Sequence, residues 1–151
     1  MKQFTVIGIG RMNRGDDALG LLALQQLQIL HPSLNAYFCN GGVTDLFEHM
    51  RNLDRLLVLM ALEADQAVGT LVEYDPRSRL LPQHWSESPR TFGLSAALSL
   101  SAGLGEGPAQ VRILGLVAGS FEEAAGLTPA VACALPELLR RASDLLSACL
   151  H

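Results

Sequence analysis

The fold is decided by the segment Phe4–Leu30, which reads FTVIGIGRMNRGDDALGLLALQQLQIL. Its opening residues are mostly apolar, with β-branched side chains, as in a buried strand. A polar loop with glycines follows, and from Asp16 to Leu30 the leucines recur at the spacing of a helix. The segment therefore predicts a strand at 4–9, a loop, and a helix from Asp16 to Leu30.

Similar units follow along the chain. We expect further strands at 35–39, 55–61, 69–74 and 111–117, and helices at about 44–52, 93–104 and 129–146. The run RLLVLMA at Arg55–Ala61 has the length and continuous apolar character of a strand buried on both faces, which predicts a central position. The order of elements predicts a single three-layer α/β domain over residues 1–151. We expect a mostly parallel, twisted five-stranded sheet flanked by helices on both faces.

Composition narrows the functional classes. With 151 residues and 49% hydrophobic content the chain is long enough for one core. A net charge of −4 provides no broad basic field, so we expect neither nucleic acid nor a membrane surface as a partner. No apolar run reaches the roughly 18 residues that span a bilayer, and no signal peptide precedes the first strand, so we expect a cytoplasmic protein. Cys39, Cys133 and Cys149 are far apart and odd in number, which favours reduced thiols and predicts no thiol-based metal site.

The glycine loop after the first strand argues against nucleotide binding. A dinucleotide fingerprint starting at Gly8 would need a third glycine where Asn13 stands. A phosphate loop would need lysine and a hydroxyl residue where Asp16 and Asp17 stand, and two carboxylates repel phosphate. Two interpretations of this acidic pair remain open: it complements the positive end of a helix dipole, or it supplies a metal ligand beside the carboxyl ends of the strands. By chemistry alone the dipole interpretation is favoured.

Five segments, in the same order along the chain, resemble the hydrogenase maturation proteases. The first contains Gly-x-Gly, an acidic pair and a further glycine; the others are a Gly-Gly turn, a central strand, a Ser-x-Arg-x-x-Gly-Leu segment where the family has Ser-x-His-x-x-Gly-Leu, and a C-terminal Gly-Leu-Thr-Pro. They lie at Gly8–Gly20, Gly41–Thr44, Asp54–Val58, Ser88–Leu94 and Gly126–Pro129. The resemblance covers nearly the whole chain and implies the fold of that family.

The resemblance also implies a chemistry. Members of this family remove a C-terminal extension from the large subunit of a nickel-iron hydrogenase, and they recognise the nickel through an acidic residue, an aspartate and a histidine. Those positions fall on Asp17, Met60 and Arg90. Asp17 keeps a carboxylate, but Met60 offers only a soft thioether and is expected to be a buried packing residue. Arg90 stays protonated and cannot bind a metal, so we expect its guanidinium to pair with Asp17.

Three other residues near the same cleft are candidate replacement ligands. Glu63 and Asp65 follow the central strand, and His84 lies in the loop that leads toward position 90. None matches a family position, and the alternative interpretation, which we favour, is that they are solvated loop charges and a surface histidine. Asp16 and Arg11 complete the set of cleft candidates, Arg11 standing where the family has asparagine. No catalytic residue is assigned.

The sequence thus leads to two main hypotheses, beside a third, a small-molecule carrier with the same fold, which has only a generic cleft in its favour. The first is a maturation accessory or chaperone, a family member without metal-dependent processing, that binds a nickel-iron hydrogenase large subunit or an assembly factor and needs no cofactor. The alternative is an active aspartic-type endopeptidase that removes the C-terminal extension of such a subunit, with nickel bound.

Overall fold

A computed structural model of the chain describes residues 4–76, 89–122 and 126–148, with only the backbone of residues 89–92. Within these ranges there are five strands and four α-helices, and a short 3-10 turn at Gly15–Ala18 precedes the first helix. In chain order the elements are β1 (Phe4–Ile9), α1 (Leu19–Leu30), β2 (Asn35–Cys39), α2 (Val43–Met50), β3 (Arg55–Leu62), β4 (Leu71–Tyr74), α3 (Pro89–Gly103), β5 (Gln110–Val117) and α4 (Pro129–Ala148). The predicted α/β class is confirmed.

The strands form one mostly parallel sheet in the order β2-β1-β3-β5-β4. β1 pairs in parallel with β2 and β3, and β3 pairs in parallel with β5. β4 is the antiparallel edge strand beside β5. The central position predicted for β3 is confirmed, and every residue of this strand from Leu56 to Leu62 is buried.

The side chains of β3 alternate between two apolar layers. One layer lies between the sheet and helices α1 and α4, and the other lies between the sheet and helices α2 and α3. Leu57, Leu59 and Ala61 belong to the first layer, and Leu56, Val58, Met60 and Leu62 belong to the second. Because both faces of β3 are covered, its sequence is apolar throughout and does not alternate with polar residues.

Several predicted boundaries shift. The helix predicted to start at Asp16 starts at Leu19, because residues 15–18 form the 3-10 turn and the Asp16 amide donates to the Ser120 carbonyl 2.8 Å away. α3 begins at Pro89, before the predicted start at residue 93, and α4 continues to Ala148. In the part of the chain that the structure describes, no helix has the length and apolar character needed to cross a membrane.

Glycines bring α1 into contact with the backbone of the sheet. A Cβ at Gly20 would lie 2.2 Å from the Ile9 carbonyl oxygen and 2.4 Å from that of Leu59. A Cβ at Gly10 would lie 2.0 Å from the Asp17 carbonyl oxygen. These glycines therefore allow a close approach of helix and loop to strands, which explains the glycine spacing without a phosphate ligand.

This packing predicts different effects for two glycine-to-alanine variants. Gly20→Ala should lower the free energy of unfolding by about 3 kcal/mol or more, because the new methyl group meets rigid backbone atoms. Gly103→Ala, at the end of α3, adds a methyl group with no atom within 4 Å. It should change stability by about 1 kcal/mol or less. Urea unfolding of both variants measures the difference, and equal losses would contradict the packing argument.

Candidate functional site

The candidate site lies at the carboxyl ends of the parallel strands. β1 sits where the order of strands reverses, with β2 on one side and β3 on the other. In open α/β sheets this reversal leaves a crevice between the loops that follow the two strands. The loop after β1 carries Asp16 and Asp17, and Met60 lies near the end of β3. Asp16 and Asp17 on one side and Met60 on the other therefore come from the carboxyl ends of two neighbouring strands.

Asp16 is fully buried, at 0% exposure, and its carboxylate is saturated with hydrogen bonds. Oδ1 accepts from the Thr128 amide at 2.7 Å. Oδ2 accepts from the Gly119 amide at 2.7 Å, the Ser120 amide at 3.2 Å and the Thr128 hydroxyl at 2.8 Å. Since Thr128 immediately precedes α4, the helix dipole that Asp16 complements is that of α4 and not that of its own helix. This cleft candidate therefore serves the structure, joining the loop after β1 to the segment after β5.

Replacing Asp16 should be costly for stability. Asp16→Asn keeps one oxygen acceptor but replaces the other with an NH2 group, which cannot accept hydrogen bonds from the surrounding amides and hydroxyl. We therefore expect a loss of about 2–4 kcal/mol in the free energy of unfolding. Asp65→Asn is the matched control, since Asp65 is exposed in the segment after β3. It should change stability by no more than about 0.5 kcal/mol. Thermal and urea unfolding give both values; an Asp16 variant as stable as the Asp65 variant would refute the structural role.

Asp17 is also buried, at 1% exposure, but it has a different partner. The Arg11 Nε donates to Asp17 Oδ2 at 3.2 Å, and the Arg11 amide donates to the Asp17 carbonyl at 3.3 Å. The loop from 11 to 17 thus folds back on itself, and Arg11, itself half-exposed, balances the buried charge. The predicted partner Arg90 lies in the first turn of α3, where its side chain is outside the described part. The pair between Arg90 and Asp17 stays a prediction.

Met60 is a packing residue, as predicted. Its side chain is 1% exposed and belongs to the apolar layer that also contains Ile9, Cys39, Leu62 and Leu94. Its strand neighbour in β5 is Gly115. At the position where the resemblance places an aspartate ligand, the chain therefore has a thioether among hydrocarbon side chains.

Two substitutions at position 60 test this environment. Met60→Leu should change the free energy of unfolding by less than about 1.5 kcal/mol, because volume and polarity are nearly kept. Met60→Asp should lower it by about 3 kcal/mol or more at neutral pH, because a carboxylate would have to leave water without a partner. Denaturant unfolding compares the two, and an aspartate variant that is as stable as the leucine variant would show a polar crevice instead.

The residues described at the family's metal positions do not suit a nickel ion. Asp17 already binds a guanidinium, and Met60 supplies a thioether within an apolar layer. Glu63 and Asp65 are exposed in the segment after β3. His84 lies outside the described residues. We derive no step through a metal at this position.

The structure also assembles a group that the sequence analysis did not predict. Cys39 ends β2, and Asp45 and His49 lie one turn apart on α2; one ligand atom of each lies within 4.8 Å of the others. Burial, and to a smaller extent the Asp45 carboxylate, raises the pKa of the Cys39 thiol to about 12. The available sequence signal was an aspartate and a histidine four residues apart, just after a cysteine and a Gly-Gly turn.

Comparison with known proteins identifies the family. The family model described as hydrogenase maturation protease matches residues 24–144. The chain belongs to the hydrogenase maturation protease family. It is 31% identical over 134 residues to the hydrogenase 2 maturation protease of Escherichia coli strain K12, an alignment that covers 83% of this chain and 79% of that protein.

Solved structures agree with the fold of this family. The hydrogenase maturating endopeptidase HybD from E. coli superposes with a TM-score of 0.80 at 25% identity, covering 98% of this chain and 93% of HybD. The nickel-iron hydrogenase maturation protease HybD from Thermococcus kodakarensis superposes with a TM-score of 0.68 at 18% identity, covering 97% and 99%. The resemblance inferred from five segments is therefore confirmed for family and fold.

Proposed function

We propose that this family member is a hydrogenase maturation factor that binds the large subunit of a nickel-iron hydrogenase without cleaving it through a metal. The observation that carries the proposal is Met60, a buried thioether at the position where the resemblance calls for a carboxylate ligand. The name of the E. coli relative, a hydrogenase 2 maturation protease, supports the class of partner.

Electrostatics supports the loss of metal-dependent cleavage. A divalent cation is held by negative or neutral donors, and Asp17 is the one carboxylate retained among the family's positions. Its Oδ2 already accepts from the Arg11 guanidinium, whose positive charge would repel an approaching cation. With Met60 in the apolar layer, the described crevice offers a cation a thioether and one carboxylate that is already paired through Oδ2.

Exposed side chains beside the crevice support protein binding. Met12, next to Arg11, is 53% exposed in the loop after β1. Methionine side chains adapt to varied partners, and methionine and arginine are both enriched in protein interfaces. This loop is therefore a suitable contact for the region of a large subunit that carries its C-terminal extension.

The proposal predicts binding without processing. The purified protein is mixed with a large-subunit precursor that retains its C-terminal extension, in nickel-loaded and nickel-free forms. Size-exclusion chromatography should show a stable complex, and intact mass should show the extension still present after prolonged incubation. Loss of the extension, abolished by Asp17→Asn, would overturn the proposal in favour of the active endopeptidase.

Two matched variants test the binding surface in the same experiment. Met12→Glu should weaken the complex by about tenfold or more, because it places a charge in the contact. Leu104→Glu changes an equally exposed apolar residue, 58% exposed, at the opposite end of the sheet. It should leave the affinity unchanged. Equal effects, or a complex formed only with another assembly factor, would contradict binding of the large subunit at the crevice.

A further inference from the structure

We propose that Cys39, Asp45 and His49 form a binding site for a divalent cation of borderline softness, with Zn²⁺ as the best match. The site is separate from the family's positions at Asp17 and Met60. The inference does not rest on the proposed function, since it concerns other side chains and holds whether or not the chain cleaves a precursor.

The three donors match the ligand chemistry of zinc. A thiolate sulfur, an imidazole nitrogen and a carboxylate oxygen are the ligand types that Zn²⁺ binds in proteins, usually in tetrahedral geometry. They come from two elements whose positions are set independently of any ion. Cys39 is held at the end of β2, where its carbonyl accepts from the Gly10 amide at 3.0 Å. Asp45 and His49 share one face of α2.

The separations between donor atoms are close to those of an assembled site. Cys39 Sγ lies 3.7 Å from His49 Nδ1, and His49 Nδ1 lies 3.5 Å from Asp45 Oδ1. Tetrahedral zinc with ordinary bond lengths would place these pairs about 3.6 Å and about 3.4 Å apart. The remaining pair, the Cys39 sulfur and an Asp45 carboxylate oxygen, lies within 4.8 Å, so binding requires rotation of the exposed Asp45 side chain toward the sulfur.

The surroundings of His49 orient its ring toward this position. The ring lies against Tyr37, with centroids 4.5 Å apart. Nδ1 is also 2.8 Å from the Asp45 carbonyl oxygen, so without an ion it donates its proton there. An ion would take the Nδ1 lone pair in the tautomer that carries its proton on Nε2. Binding of an ion therefore requires the His49 ring to turn so that Nδ1 faces the ion and no longer the Asp45 carbonyl.

The charge of an ion would act on the buried thiol. Without a cation, burial and the Asp45 carboxylate keep Cys39 protonated. A cation favours the thiolate, so binding releases one proton from Cys39. Asp45 is exposed and His49 partly exposed, which gives the ion a path from solvent to the sulfur. Three protein ligands leave a fourth position for water or a group from a partner.

The test is a titration of the metal-stripped full-length protein with Co²⁺ and with Zn²⁺. Co²⁺ should bind one to one and produce a thiolate-to-cobalt charge-transfer band in the near ultraviolet, and Zn²⁺ should displace it. Cys39→Ser should lose the band, and His49→Gln should weaken binding at least about tenfold. Cys133→Ser and His31→Gln, which change the same residue types elsewhere, should bind as the wild type does.

A second measurement distinguishes loss of the metal site from loss of the fold. Zn²⁺ should raise the unfolding temperature of the wild type, and should not raise that of His49→Gln, whose fold is checked by circular dichroism. No one-to-one binding by the wild type, or a band that survives Cys39→Ser, would overturn the proposal. Binding that is lost in Asp17→Asn but kept in Cys39→Ser would place the ion at the family position and would also overturn it.

Discussion

The buried carboxylate of Asp16 joins the turn after β1 to two segments that lie 103 to 112 positions further along the chain, the segment after β5 and the start of α4. Its four hydrogen bonds come from two backbone amides at 119 and 120 and from both donors of Thr128. A fully desolvated charge is tolerated because these bonds and the positive end of the α4 dipole replace its hydration. The loop after β1 is therefore fixed in place, and with it Asp17 and Arg11.

This arrangement separates the fold of the family from its metal chemistry. The glycines that let α1 approach the sheet and the apolar run of β3 are matters of packing, and they are kept. At the crevice, a guanidinium stands beside Asp17 and a thioether stands at position 60. Asp17 is a buried charge that needs a cation nearby, and the Arg11 guanidinium supplies one.

Side chains of the types that bind metal ions lie together at another place, where β2, the strand beside β1, ends near α2. Cys39 and His49 lie 3.7 Å apart there, in contact with the same apolar layer that contains Met60. The crevice beside Asp17 and the Cys39 group lie at the same edge of the sheet, because the loops that follow parallel strands gather at one edge. This edge of the sheet thus combines the crevice beside Asp17, an exposed loop with Met12, and a thiol-imidazole-carboxylate group.

Local sequence patterns determined the elements, the central place of β3, the burial of Met60 and the family, because periodicity, apolar runs and glycine spacing act within a few residues. The helix boundary after Asp16 and the contact between Asp17 and Arg11 were not predicted. Adjacent aspartates with the same chemistry received different partners, Thr128 for one and Arg11 for the other. The group formed by Cys39, Asp45 and His49 was not predicted either, because a strand end and a helix face become neighbours only when the chain folds. Tertiary structure alone decided which donors meet each buried carboxylate, because desolvation makes those contacts obligatory and they join residues up to 112 positions apart.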